Sequence, residues 1–134
     1  MKKLIIALAL TVIASTATAR DISELSSPIV LLTPAIAQNQ EALQLNASQR
    51  AEVRDWMSRM PAKRGAQEDK AIEARAALRT AIINDEPQET LEALATEVGS
   101  METQLLLMRA HCVNHWREVL NEEQFAQALR FAGH

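Results

Sequence analysis

Two histidines near the carboxyl end of the chain have a spacing that could bind a metal ion. His111 and His115 are four residues apart, so both would project from one face of an α-helix. Met108 and Cys112 lie in the same stretch, and their sulfur atoms would suit Cu(I), whereas imidazoles suit zinc, nickel or cobalt. Such residues at helical spacing more often belong to a core. We therefore expect no bound cofactor, with a zinc, nickel, cobalt or copper site on the two histidines as the alternative.

Other reactive side chains lack the partners that catalysis needs. Ser48 and Ser58 have no base at a defined spacing, and the acidic pair Asp85-Glu86 lies where a helix would start, where negative charge complements the helix dipole. The sequence contains no Gly-rich phosphate loop, no His-Glu-x-x-His and no Cys-x-x-Cys motif. These observations predict that the protein is not an enzyme.

The histidine pair belongs to the clearest helical pattern of the chain. From Pro87 to Val119, apolar residues alternate at spacings of three and four, which is an a/d seam over four heptads. A helix of this length would be about 50 Å long. It predicts an all-α fold built as an elongated, bent helical hairpin with short flanking helices. The seam residues are Leu91, Leu94, Val98, Met101, Leu105, Met108, Cys112, His115 and Val119.

A short motif occurs twice and marks helix starts. Residues 45–49 and 120–124 both read Leu-Asn-x-x-Gln. Asparagine is a strong N-cap, and a glutamine three residues later completes a capping box, with the leucine just outside as a hydrophobic staple. The second copy predicts a final helix from Glu122 to about Phe131. The motif residues are Leu45, Asn46, Gln49, Leu120, Asn121 and Gln124.

The remaining elements follow from caps and breakers. Thr33 followed by proline predicts a short helix from about Pro34 to Leu43. The helix that starts after Asn46 meets a proline and a glycine in residues 61–65, which predict either a kink or a turn. The helical pattern then runs from about residue 66 to 83, and a turn at 84–87 leads into the seam helix.

The first 19 residues have the features of a secretory signal peptide. Two lysines precede an apolar run from Leu4 to Ile13, and Ala17-Thr18-Ala19 is a small-residue cleavage site before Arg20. The run is shorter than the about 20 apolar residues that a membrane span needs, although a retained anchor is the alternative. We expect residues 20–134 to form one exported, all-helical domain in the periplasm.

The composition narrows the possible partners and the kind of core. The 134 residues carry a formal net charge of −3, which becomes more negative without the leading lysines. No basic block is present, so we expect no nucleic-acid partner. Two Trp, two Phe and no Tyr predict an aliphatic core. The single cysteine, Cys112, is expected to be a buried thiol, with an intermolecular disulfide as the alternative.

An exported, all-helical chain with two Leu-Asn-x-x-Gln motifs resembles the Spy/CpxP family of periplasmic proteins, whose mark is Leu-Thr-x-x-Gln, typically present twice. The resemblance extends from about Leu43 to Phe131. Asparagine replaces threonine in both copies and preserves the capping chemistry. The resemblance implies a bent fold that dimerises into a cradle, with ATP-independent chaperone activity or a role in the envelope stress response. One branch of the family senses or binds metals, including zinc, nickel and cobalt.

The resemblance implies that unfolded or misfolded envelope proteins are the partners and that aggregation is limited. Family chaperones are often basic, whereas this chain is acidic, so apolar contacts would carry the binding. Trp56, Met57, Met60 and Leu106 are the candidate contacts, because they add apolar surface beside the seam. The methionines also fit a core, which we favour over a flexible client surface. A third reading is a regulatory partner of a membrane sensor protein.

Overall fold

In the computed structural model, which describes residues 21–26 and 28–134, the chain folds into four α-helices and no strand over that range. The predicted signal peptide at residues 1–19 lies outside the described residues. The all-α prediction is confirmed, including the long bent hairpin. Within the described range, no helix has both the length and the hydropathy to cross a membrane. The helices are α1 (Leu32–Gln38), α2 (Ala47–Ile83), α3 (Gln88–Val119) and α4 (Glu122–Phe131).

Helices α2 and α3 form the hairpin, and their connection is the predicted turn. The amide of Glu86 donates to the carbonyl of Ala81 at 3.1 Å, and that of Asp85 to Ile82 at 3.2 Å, which is a Schellman motif. Asp85 has a φ of 54°, a left-handed conformation that Asp tolerates better than most residues. Pro87 is the N-cap of α3 rather than its first helical residue.

Helix α2 is continuous through the region where the sequence left a kink or a turn open. Pro61 lies inside the helix, so residues 61–65 are not a turn. The proline has no amide to donate to the carbonyl of Met57, and an interior proline costs about 3 kcal/mol. Packing along the helix offsets this cost: Met60, directly before the proline, and Ala71, further along α2, are both buried.

Helix α1 differs from its predicted bounds. It begins at Leu32 with Leu31 as N-cap and without a side-chain cap, so the prediction of Thr33 as N-cap is wrong. The Thr33 hydroxyl instead accepts a 2.7 Å hydrogen bond from Nε1 of Trp116. The helix ends at Gln38 rather than near Leu43, because the Asn39 side chain donates to the carbonyl of Ala35 at 2.7 Å and occupies a carbonyl at the helix end.

The core lies at the open end of the hairpin, where all four helices meet. It surrounds Trp116, which has no exposed surface, and leaves out the tip of the hairpin. All nine seam residues of α3 are only partly buried, because α2 offers the hairpin mainly small side chains such as Ala71, Ala74 and Ala81. The core cluster comprises Leu32, Ile36, Leu43, Leu45, Val53, Trp56, Met60, Trp116, Leu120 and Ala128.

Candidate functional site

The repeated motifs form the capping boxes that the sequence predicts. The Asn46 side chain accepts from the amide of Gln49 at 2.9 Å, and Gln49 Oε1 accepts from the amide of Asn46 at 3.0 Å. In the second copy, the corresponding bonds between Asn121 and Gln124 measure 2.8 and 3.1 Å. The prediction that both motifs start helices is therefore confirmed.

The two capping glutamines also bind each other, which the sequence analysis did not anticipate. Gln49 Nε2 donates to Gln124 Oε1 at 2.8 Å, and Gln124 Nε2 to Gln49 Oε1 at 3.2 Å. The two Nε2 groups also donate to the carbonyls of Val119 and Leu43, both at 3.1 Å. Since the two amides use their donors and acceptors on one another and on the backbone, they join the starts of α2 and α4 and close one end of the core.

An apolar groove of about 580 Å³ opens between α1, α2 and α3. Trp56 and Met60 form its floor and are 3% and 8% exposed, whereas Leu31 and Met57 at its rim are 44% and 49% exposed. Met108 and the half-buried Cys112 of α3 line the opposite wall. A pocket of this size, with mostly apolar walls, is the kind of concave site at which proteins bind ligands.

The structure brings three of the four candidate contact residues together. Trp56, Met57 and Met60 line the groove, whereas Leu106 lines a separate cavity of about 240 Å³ with Ile22 and Leu25 of the amino-terminal segment. The expectation that Trp56 and Met60 are exposed is wrong, because α3 covers that helix face. The preference for a core position is correct for Met60 and wrong for Met57.

Helical spacing alone could not predict which of these side chains are buried and which are exposed. It places Trp56 and Met60 on one face of α2 and Met57 beside it, but it does not say which element covers that face. Leu31, Arg64 and Arg109 also line the groove, and no motif in the sequence marks them as groove residues. The exposed rim leucine precedes a short helix, and no periodic pattern singles it out.

The histidine pair is divided between core and solvent. The His115 ring stacks on Trp56 with centroids 3.6 Å apart and packs edge-on against Trp116 at 4.9 Å. Its Nε2 lies 3.0 Å from Oε1 of Glu52, without the alignment of a hydrogen bond. Burial lowers the pKa of His115, and the Glu52 carboxylate only partly opposes that effect. His111 is exposed, 6.0 Å from the Trp56 ring.

Within the described residues, the fold brings no third ligand to the candidate metal ligands. Among residues 21–26 and 28–134, no group of three or more His, Cys, Asp or Glu side chains is placed to hold a metal ion. Cys112 is half-buried, and burial raises the pKa of its thiol, which keeps the thiol protonated and weakly reactive. In the structure, His115 stacks on Trp56 and Cys112 lines the groove.

Two arginines provide the charge of the groove. Arg64 of α2 and Arg109 of α3 line it, and Arg64 Nε lies 3.3 Å from Oε1 of Glu68. Burial lowers the pKa of Arg109, and the nearby Arg64 guanidinium lowers it further. The groove therefore combines apolar walls with an excess of positive charge at one place.

Comparison with known proteins gives no further guide. No protein-family model, curated protein or solved structure matches this chain. The resemblance to the Spy/CpxP family thus rests on the two Leu-Asn-x-x-Gln motifs and on the expected helical organisation. Any function has to be inferred from the groove, the histidine pair and the motifs.

Proposed function

We propose that this protein is a periplasmic, ATP-independent chaperone of the Spy/CpxP kind, which binds unfolded or misfolded envelope proteins and limits their aggregation. The observation that carries the proposal is the apolar groove, whose rim exposes Leu31 and Met57. Large exposed apolar side chains around a concave surface are typical of interaction sites. The class of partner, unfolded envelope proteins, is inferred from the two Leu-Asn-x-x-Gln motifs and their resemblance to those of the Spy/CpxP family.

The proposed mechanism is reversible contact without chemistry. An apolar segment of a client covers the rim residues, and each Å² of apolar surface removed from water contributes about 25 cal/mol. Methionine suits such a surface, because its unbranched side chain adapts to partners of different shape. Few rim residues contribute, so each contact is weak and the client can leave without an energy source.

We further propose a homodimer in which the distal half of the hairpin meets a second copy. Support comes from the partly exposed seam of α3 and from Ile82 and Ile83, which are 59% and 74% exposed at the end of α2. A second subunit would bury apolar surface that one chain leaves in water. Sedimentation equilibrium tests the proposal, since the mass of a single chain at micromolar concentration would refute it.

The chaperone proposal is tested by placing charge on the groove rim. In a Leu31→Lys, Met57→Lys double variant, both side chains remain suited to an exposed position but lose their apolar contact with the client. We expect about fivefold or more protein to be needed for equal suppression of aggregation, since the lost burial is worth about 1 kcal/mol or more. Light scattering of a denatured model client measures the effect.

The matched control places the same two charges outside the groove. Leu107 on α3 and Phe131 on α4 are 63% and 42% exposed and line neither cavity discussed above, so a Leu107→Lys, Phe131→Lys double variant should suppress aggregation as the unmodified protein does. Circular dichroism confirms that both variants remain helical. Equal suppression by the rim variant and the control would show that the groove is not the client site.

A further inference from the structure

The charges of the groove lie at its boundary with the neighbouring cavity. Arg64 and Arg109 are the only charged side chains among the described residues that line the groove, and both also line the smaller cavity beside it. Both arginines therefore lie where the two cavities meet. The rest of the groove wall is uncharged, so a bound molecule would meet positive charge at one end and apolar surface along its length.

Within the part of the chain that the structure describes, Glu68 is the carboxylate that acts on both arginines. Glu68 is the carboxylate beside Arg64, and it also lies close enough to influence Arg109. One carboxylate is thus shared by two guanidinium groups that repel one another. The Nε atom of Arg64 is buried, and its 3.3 Å contact with Glu68 lacks hydrogen-bond alignment. A further anion would relieve this repulsion and accept charge-assisted hydrogen bonds.

The interior of the groove suits an alkyl chain better than a peptide backbone, whereas a client in the chaperone proposal contacts the exposed side chains of the rim. The Thr33 hydroxyl already accepts from Trp116, and the Gln40 side chain donates to the carbonyl of Ala37 at 3.1 Å. Among the uncharged polar side chains of the groove, mainly the exposed Gln38 is left for a peptide backbone. Burying unpaired backbone amides costs free energy, whereas an alkyl chain has none to bury. A volume of about 580 Å³ lies within the ordinary range for small-molecule sites, about 300–1,000 Å³.

We propose that the groove binds a long-chain alkyl carboxylate, with the carboxylate on Arg64 and Arg109 and the chain along the methionine-lined wall. This site is additional to the proposed chaperone function and does not depend on it. The two proposals share groove residues, so a bound alkyl carboxylate would compete with a client for the same surface.

Isothermal titration calorimetry of the unmodified protein with dodecanoate tests the proposal directly. We expect saturable binding of one ligand per chain at concentrations below micelle formation. Shortening the ligand to decanoate should weaken binding by about threefold to fourfold per methylene removed. Dodecyltrimethylammonium, which has the same chain and the opposite charge, should bind at least about tenfold more weakly.

Arg109→Gln locates the carboxylate, because it removes a charge and leaves the contact between Arg64 and Glu68 in place. We expect dodecanoate affinity to fall by about tenfold or more. Arg54→Gln is the matched control, since Arg54 is exposed on the same helix as Arg64 and lies outside the groove. Circular dichroism in the presence of ligand checks that the helices persist.

The proposal would be overturned by the absence of saturable heat with dodecanoate, by equal affinity for the cationic analogue, or by unchanged affinity in Arg109→Gln. Uptake of many ligands per chain with loss of helical signal would also overturn it, because that result indicates detergent action. Since the titration contains no client protein, its failure leaves the aggregation assay unaffected. Failure of the aggregation assay likewise leaves the titration result standing.

Discussion

At the scale of single residues, the aromatic cluster around Trp116 determines what the histidines do. His115 lies between the rings of Trp56 and Trp116, so its imidazole takes part in packing. His111, one turn away, remains in solvent. The sequence placed both on one helix face, but the position of α2 across that face separates them into a packed and an exposed residue.

The stacked His115 should make stability depend on pH. Burial holds its pKa below the ordinary value of about 6.5, so the unfolded chain takes up the proton more readily than the folded chain. The contribution to stability is therefore complete above about pH 6.5 and is lost as the pH falls below it. Urea denaturation at about pH 7 and about pH 5 should show a smaller loss of stability in His115→Gln than in the unmodified protein.

The control for this experiment is the exposed histidine of the same helix. His111→Gln should change the pH dependence only slightly, because that ring is exposed and its repulsion contributes less to the lowered pKa of His115 than burial does. The remaining ionisable groups are present in all three proteins and cancel in the comparison. If His115→Gln and His111→Gln behave alike, the stack does not control the protonation of His115.

The hydrogen bond between Thr33 and Trp116 gives a second prediction at this scale. The donor Nε1 belongs to a residue with no exposed surface, and its acceptor is the Thr33 hydroxyl at 2.7 Å. Thr33→Val keeps the shape and removes the acceptor, so it should destabilise the fold by about 1–3 kcal/mol. Thr33→Ser keeps the hydroxyl and should retain most of the stability. Urea denaturation measures both, and equal stability of the Val variant and the unmodified protein would contradict the assignment.

At the scale of the elements, the repeated motifs act as caps and as a joint between helices. Local chemistry suffices to predict the caps, because Asn and Gln three residues apart interact within one turn. The pairing of Gln49 with Gln124 depends on how α4 folds back against α2, and a single sequence does not contain that distance. The repeated motif therefore predicts two helix starts, but it does not predict the contact between Gln49 and Gln124.

A double-mutant cycle tests the glutamine joint. Gln49→Ala and Gln124→Ala should each destabilise the fold by about 1 kcal/mol or more, because each removes a cap contact and a cross-helix amide. Their combination should cost less than the sum, with a coupling of about 1 kcal/mol, because the two amides share their hydrogen bonds.

The exposed Gln104 on α3 provides the matched cycle. Gln49→Ala and Gln104→Ala should be additive within about 0.5 kcal/mol, since the two side chains lie in separate surroundings. Chemical denaturation gives all the free energies of unfolding. Additivity of the Gln49 and Gln124 variants would show that the amide pair contributes nothing beyond the two separate caps.

The helix bounds show which local sequence patterns predicted the structure correctly. The apolar seam predicted α3, and the predicted turn at residues 84–87 connects α2 to α3 in the structure. The proline at residue 61 predicted either a kink or a turn, and α2 continues through it because burial of residues such as Met60 and Ala71 outweighs the local cost of the proline. Helix α1 was misplaced because Thr33 serves the core rather than a helix end, which no local pattern reveals.

At the scale of the whole molecule, the core and the groove share one end of the hairpin, and the other end exposes apolar seam residues. This division suits the chaperone and homodimer proposals, because a client would contact the groove and a second copy of the chain would contact the distal half of the hairpin. The groove itself was not predictable, because its walls come from three helices and its charge from Arg64 and Arg109. Only the fold brings these groups together.

The most direct test of the chaperone proposal is the aggregation of a denatured model client, followed by light scattering without ATP. The assay is run with and without the purified protein, with a chelator, and with added zinc, nickel, cobalt or copper. We predict suppression at a near-stoichiometric ratio that neither chelation nor metal changes. Absence of suppression, or suppression with one metal only, would contradict the proposal, and the second result would favour metal binding by His111 and His115 instead.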